Sequence, residues 1–192
     1  MEHRERLRAL LVERSLFVGE FTLSSGIRST YYVDARRTTM SAEGQFLIGR
    51  VCLDALREHG WDATHVGGLT LGADPISYAI AHASWVAAER PIDAFTVRKA
   101  PKTHGTGQRI EGGLPKEARC IVIEDSMTSG ASALDAVRAV VEHGASVAGV
   151  LTLVDRQEGG RERIIEQSGL TVLSVFTAQE LLEAARAAST PS

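Results

Sequence analysis

The sequence predicts an α/β protein: a parallel sheet flanked by helices, with a small N-terminal hood. Three observations predict it. Strand-like and helix-like runs alternate through the middle and C-terminal parts of the chain. The strand-like runs "CIVIED" and "SVAGVLTLVD" are dominated by consecutive apolar residues, the pattern of strands covered on both faces. The helix-like runs "SALDAVRAVVEHG" and "GRERIIEQSG" each stop on a glycine, which accepts the left-handed turn that ends a helix.

In chain order, "RERLRALLVERSLF" reads as a helix, "FTLSSGIRSTYYVDARR" as strand and loop, and "SAEGQFLIGRVCLDALREHG" as a longer helix. These are the N-terminal helix and hood elements, about residues 1–60. The α/β core, about residues 61–188, opens with the short strand "THVGGL". "DPISYAIAHASWVAAE" follows, with Ile76, Ile80 and Ala83 at helical spacing. "IDAFTVR" is rich in strand formers. After a cationic, glycine-rich stretch over 98–113, the core resumes with "CIVIED". "SALDAVRAVVEHG" sets Leu134, Val137 and Val141 on one helical face. "SVAGVLTLVD", "GRERIIEQSG", "LTVLSVF" and "AQELLEAARAA" complete the alternation, and "AASTPS" reads as a frayed tail.

The 192 residues suit one domain, 1–192, with a sizeable core. A net charge of −3 argues against bulk attraction to nucleic acid or to an anionic membrane, so any anion site must be built from local charge. Two cysteines, Cys52 and Cys120, make no disulfide framework and read as buried thiols. The N-terminal stretch is charged and lacks a signal-peptide core, and the longest apolar run is too short to span a bilayer. The expectation is a cytoplasmic protein.

In a parallel sheet, ligands bind beyond the carboxyl ends of the strands. "GGLTLGAD", the segment after "FTVRK", "EDSMTSGAS" and "DRQEGG" all follow strands and should share one rim. The strongest signal among them is "CIVIEDSMTSGAS". A strand ends in Glu124 and Asp125; Ser126, Met127, Thr128, Ser129, Gly130, Ala131 and Ser132 then turn into a helix. Such a turn aims backbone N–H groups and a helix N-terminus at one spot, which suits a phosphate. The two carboxylates would repel that phosphate but suit hydroxyls or a divalent cation. Ribose 5-phosphate has both halves. The plainer alternative is a strand end with exposed acids and a helix N-cap at Ser129 or Ser132. Neither a Walker loop nor a G-x-G-x-x-G after a strand is present.

"IVIEDSMTSGAS" resembles the phosphoribosyl diphosphate signature of the type I phosphoribosyltransferases. "FTLSSGIRSTYYVD", "GGLTLGADPI", "RKAPKTHGTG" and "LVDRQEGG" resemble, in order, segments of the orotate phosphoribosyltransferase family. The resemblance covers roughly residues 15–160. It implies a type I phosphoribosyltransferase-like sheet and transfer of ribose 5-phosphate from 5-phosphoribosyl 1-diphosphate to orotate. It makes 98–113 a flexible lid whose Lys102 and His104 reach the departing diphosphate, anchored by Arg98 and Lys99. Lys102, His104 and Asp125 are the implied catalytic residues. Residues 124–132 bind the phosphoribosyl group. Thr128, Arg156, Tyr31 and Tyr32 bind orotate, an arginine fork matching its carboxylate. Magnesium arrives with the diphosphate near Glu124 and Asp125, with no direct protein ligand specified. A homodimer with the lid shared across its interface is implied, without nucleic acid or membrane partners.

Read singly, these residues have plainer alternatives: a solvated loop over 98–113, Arg156 paired with Asp155 or Glu158, and tyrosines that pack the hood. Two family lysines are absent: Ser24 and Gly72 stand in their places, and Arg28 is a nearby candidate to compensate at the first. Competing assignments are a purine phosphoribosyltransferase and a non-catalytic regulator that senses the same diphosphate. The first is disfavoured by the lid and "DRQEGG". The second is disfavoured by the retained Lys102 and His104 and by the lack of an added domain.

Overall fold

The computed structural model describes residues 2–22, 28–87, 90–100 and 109–189. Helix α1 (Glu2–Arg14) precedes strands β1 (Leu16–Thr22) and β2 (Arg28–Val33), which pair antiparallel as a two-stranded ribbon. A short α2 (Arg36–Thr39) and the long α3 (Ala42–Glu58) follow. The core then runs β3 (His65–Leu69), α4 (Ala73–Val86), β4 (Asp93–Val97), β5 (Ile110–Glu111), β6 (Arg119–Met127) and α5 (Ala131–His143). It closes with β7 (Ser146–Asp155), α6 (Gly160–Ser168), β8 (Val172–Thr177) and α7 (Ala178–Ser189).

The six-stranded sheet has the order β5-β4-β3-β6-β7-β8. All neighbours are parallel except the short β5, which lies antiparallel on the β4 edge. The continuous apolar runs are explained by burial on both faces. Ile121, Ile123, Leu151 and Leu153 pack with α1, α3 and α4, whereas Cys120, Val122 and Val150 pack with α5. Helices α1 and α3 therefore share a core with the sheet, and the β1–β2 ribbon is a separate two-stranded sheet that adds Leu16 and Val33 to the same core.

Three details differ from the sequence reading. Strand β6 continues through Glu124 and Asp125 to Met127, because it stays paired with β7 as far as Met127 opposite Asp155. Two short elements, α2 and β5, carry too few residues for a periodic signal. Neither Ser129 nor Ser132 caps α5: Gly130 occupies that position.

Candidate active site at the carboxyl rim of the sheet

The parallel strands run β4-β3-β6-β7-β8, so the chain winds outward in opposite directions from β3 and β6. The crevice between the carboxyl ends of those two strands is the topological switch point where such sheets take ligands. Glu124 and Asp125 of β6 stand on one side and residues 70–72 after β3 on the other. Together with Tyr32, Arg36, Lys99 and Ser132 they line a cavity of about 250 Å³.

The two acids sit half-buried in this cavity. Burial and the adjacent Asp125 carboxylate push Glu124 up to about 8. Burial raises Asp125 as well, against the Ser126 amide, which donates to Asp125 Oδ1 at 2.9 Å, and against the charge of Arg36. The alternative of solvent-exposed strand-end acids is thereby set aside. Two carboxylates this close are only partly compensated by the charge of Arg36. Their oxygen donors fit magnesium, which keeps several waters and takes one or two carboxylates together with substrate phosphates. No cluster of three metal-ligating side chains occurs among the described residues.

Just beyond the acids, α5 begins without a side-chain cap. Gly130 takes φ +70°, and a Cβ there would lie 2.8 Å from the Gly160 carbonyl oxygen and 2.9 Å from Ile164 Cγ1. Only glycine relieves both strains. The hydroxyls of Thr128, Ser129 and Ser132 make no hydrogen bond among the described residues, and the first-turn amides of α5 face the rim with them. Such an arrangement of donors suits an anion.

The β3–α4 turn is held differently. Asp74 accepts from Thr70 Oγ1 at 2.7 Å and from Thr96 Oγ1 at 2.8 Å, tying the turn to β4. The Thr70–Leu71 peptide is cis. Gly72 lets the turn approach the acids, since a Cβ there would lie 2.6 Å from Asp125 Oδ1.

Arg156 follows β7 with its side chain 6% exposed, its guanidinium carbon 5.1 Å from the Tyr31 ring centroid. Its Nη2 lies 2.8 Å from Glu158 Oε1, the pairing weighed as an alternative. That contact falls outside hydrogen-bonding geometry, so Nε and Nη2 are both buried without a hydrogen-bond partner. These two nitrogens form a side-on fork whose geometry matches a carboxylate.

The predicted residues thus fall into two cavities. Tyr32 lies with the acids, while Tyr31 lies with Arg156, Gln157 and the start of α7 around about 340 Å³. Tyr31 and Tyr32 separate because successive residues of a strand face opposite sides. Arg98 and Lys99 are exposed at the end of β4, with Arg98 Nη1 3.6 Å from Glu111 Oε1. Lys102 and His104 lie outside the described residues, as does Ser24. Sequence reasoning missed Arg36, Thr70 and Asp74. "DAR" and "TLGAD" are small polar clusters beside strand ends, the one signal that could have flagged them.

No family model matches the chain. The orotate phosphoribosyltransferase of Aquifex aeolicus is 49% identical over 185 residues, covering 95% of this chain and 99% of the relative. The crystal structure of the Mycobacterium tuberculosis orotate phosphoribosyltransferase in complex with Fe(III) dicitrate has a TM-score of 0.81 at 46% identity, covering 93% of this chain and 98% of that one. The same enzyme in complex with 5-phospho-alpha-D-ribosyl 1-diphosphate has a TM-score of 0.77 at 44% identity, with the same shares covered.

Proposed function

The chain belongs to the orotate phosphoribosyltransferase family, and from that premise we propose how its own residues divide the reaction. The reaction transfers ribose 5-phosphate from 5-phosphoribosyl 1-diphosphate to orotate, giving orotidine 5′-monophosphate and diphosphate, a step of pyrimidine biosynthesis. One juxtaposition carries the reading: an uncapped helix N-terminus with free hydroxyls beside two carboxylates at the switch point.

In this proposal the α5 N-terminus, with Thr128, Ser129 and Ser132, holds the 5′-phosphate. Glu124 and Asp125 accept from the ribose hydroxyls and place negative charge near the anomeric carbon as its bond to the diphosphate loosens. Residues 70–72, tethered through Asp74, present backbone to the leaving diphosphate. The Arg156 fork takes the orotate carboxylate, displacing Glu158, and fixes the ring so that its nitrogen faces the sugar. Thr128, Tyr31 and Tyr32 complete the orotate surroundings. Arg98 and Lys99, with Lys102 and His104 beyond them, supply cations where charge grows on the diphosphate. Glu124 and Asp125 would help hold magnesium brought by the diphosphate, and the ion, when bound, would offset negative charge there.

The protein works as a homodimer in which Lys102 and His104 serve the partner's site. Exposed Tyr78 and Trp85 stand seven residues apart on one face of α4, and exposed Leu71 lies in the turn before it. An apolar stripe of this kind favours burial against a second copy beside residues 70–72. No described helix is long and apolar enough to cross a membrane, and we place the reaction in the cytoplasm.

The test is direct. The protein should consume orotate absorbance only with 5-phosphoribosyl 1-diphosphate and magnesium, and excess chelator should stop it. Consumption of a purine base in place of orotate would overturn the assignment. Mixing inactive Lys102→Ala and Asp125→Asn homodimers tests the shared site. Half the exchanged dimers are mixed and each regains one intact site, so activity should return to roughly a quarter of wild type. Confirmed subunit exchange without recovery refutes the sharing and leaves the reaction standing.

A further inference from the structure

We infer that Arg36 is a diphosphate-binding residue of this chain, supplying from α2 the positive charge that the Gly72 turn cannot. The inference rests on the reading of the acid-lined cavity as the 5-phosphoribosyl 1-diphosphate site. Four observations lead to it.

Three carboxylates line the cavity, Asp34, Glu124 and Asp125, and among its described lining residues the cations are Arg36 and Lys99. A diphosphate carries several negative charges, and at these distances in a partly enclosed site like charges are costly. The turn facing Asp125 can contribute backbone alone. Gly72 itself brings no charge to the turn, and a Cβ there would sit 2.6 Å from Asp125 Oδ1. Arg36 is free to do the work. Its Nε donates to Asp34 Oδ1 at 3.0 Å, and neither Nη group makes a hydrogen bond or ion pair among the described residues. The side chain is 48% exposed, so a ligand can approach it. Finally, its charge already reaches Asp125: the Asp34 hydrogen bond and charge raise Arg36, Asp125 adds to this, and Arg36 in turn opposes the rise of Asp125.

The geometry explains why an arginine suits the place. One edge of the guanidinium is spent on Asp34, which orients the side chain. The remaining planar donors match two phosphate oxygens at once. The short α2, fixed by Thr38 and Ala35 hydrogen bonds to its neighbours, sets this fork directly after β2 and its Tyr32.

Calorimetric titration of the whole protein with inorganic magnesium diphosphate tests the idea. Wild type must bind; failure there would count against the reading of the cavity, not against Arg36 in particular. Arg36→Met should weaken diphosphate binding and raise the KM for 5-phosphoribosyl 1-diphosphate by about tenfold, the scale of one charge-assisted contact. The KM for orotate should stay within about twofold, and Arg36→Lys should recover part of the loss. Asp34→Asn separates binding from mere stapling of α2. It removes a negative charge and leaves the guanidinium, so diphosphate binding should hold or tighten. Circular dichroism and the melting temperature establish that each variant is folded. Equal losses in Arg36→Met and Asp34→Asn, an orotate KM that rises in parallel, or unchanged diphosphate binding in Arg36→Met would each overturn the proposal.

Discussion

Helices α5 and α7 both start at the carboxyl rim after a parallel strand, yet their first turns are finished in opposite ways. At α7 the chain closes its own N-terminus. The Thr177 amide donates to Glu180 Oε2 at 2.7 Å, and the Glu180 amide donates to Thr177 Oγ1 at 3.2 Å. Arg4 then pairs with the same Glu180 at 2.9 Å. This is a reciprocal capping box with its carboxylate already in place. At α5 no side chain caps the helix, and three nearby hydroxyls have no partner among the described residues. A closed start spends the helix dipole on stability; an open one keeps it for a ligand. The contrast extends to the second anion. Because the α7 start is closed, the proposed hold on the orotate carboxylate in the cavity there falls to the Arg156 fork.

The sharpest break of this comparison is at Gly130. Gly130→Ala puts a Cβ into the Gly160 carbonyl at a left-handed residue and displaces the open turn. The kcat/KM for 5-phosphoribosyl 1-diphosphate should fall on the order of 100-fold, as when an oriented donor set is lost. Arg156→Ala should act on the other substrate. Losing a charged bidentate contact raises the orotate KM by roughly ten- to a hundredfold, with the diphosphate substrate's KM nearly unchanged. An unchanged orotate KM would mean that the fork serves something else.

Two smaller effects concern stability, and they carry opposite pH signs. Glu124 titrates near 8 in the folded protein, above its ordinary 4.5. A raised acid favours the fold while protonated, so its contribution is present below about 4.5 and is lost as pH rises toward 8. Glu124→Gln should therefore stabilise the ligand-free protein at pH 9 by roughly 1–2 kcal/mol and change little at pH 4. Glu180 is shifted the other way. Burial alone would raise it, but the Arg4 hydrogen bond and the Thr177 amide overcome that and hold it down. Its contribution is present above the ordinary carboxylate range and is lost as pH falls through the depressed value. Thr177→Ala, which breaks the closed start, should cost about 1 kcal/mol at pH 7 and leave both KM values alone. A change in either KM would show that α7 is not merely structural.

The open start was legible in the sequence and the closed one was not. "EDSMTSGAS" concentrates small and hydroxylated residues after two acids, and nothing but backbone chemistry explains that composition. "TAQE" at α7 has the capping-box spacing, but its meaning depends on being read as a helix boundary. The strand series was legible for the same reason as the phosphate turn: burial on both faces forces an uninterrupted apolar run. Arg36 and Asp74 stayed hidden because their roles are long-range. Asp74 earns its place by reaching Thr96 across 22 residues, and Arg36 by facing Asp125 across 89, and no local pattern records either. The split of Tyr31 and Tyr32 between two cavities could have been anticipated from strand alternation alone.

The central claim is that the open α5 turn, the acid pair and the β3–α4 turn receive one substrate in a single orientation. A crystal structure of the protein with magnesium and 5-phosphoribosyl 1-diphosphate tests it most directly. The account places the 5′-phosphate on the first-turn amides of α5 with Thr128, Ser129 and Ser132, the ribose hydroxyls on Glu124 and Asp125, and the diphosphate between residues 70–72 and Arg36. A 5′-phosphate bound away from α5, or a diphosphate lying over α5 with the ribose reversed, would contradict it.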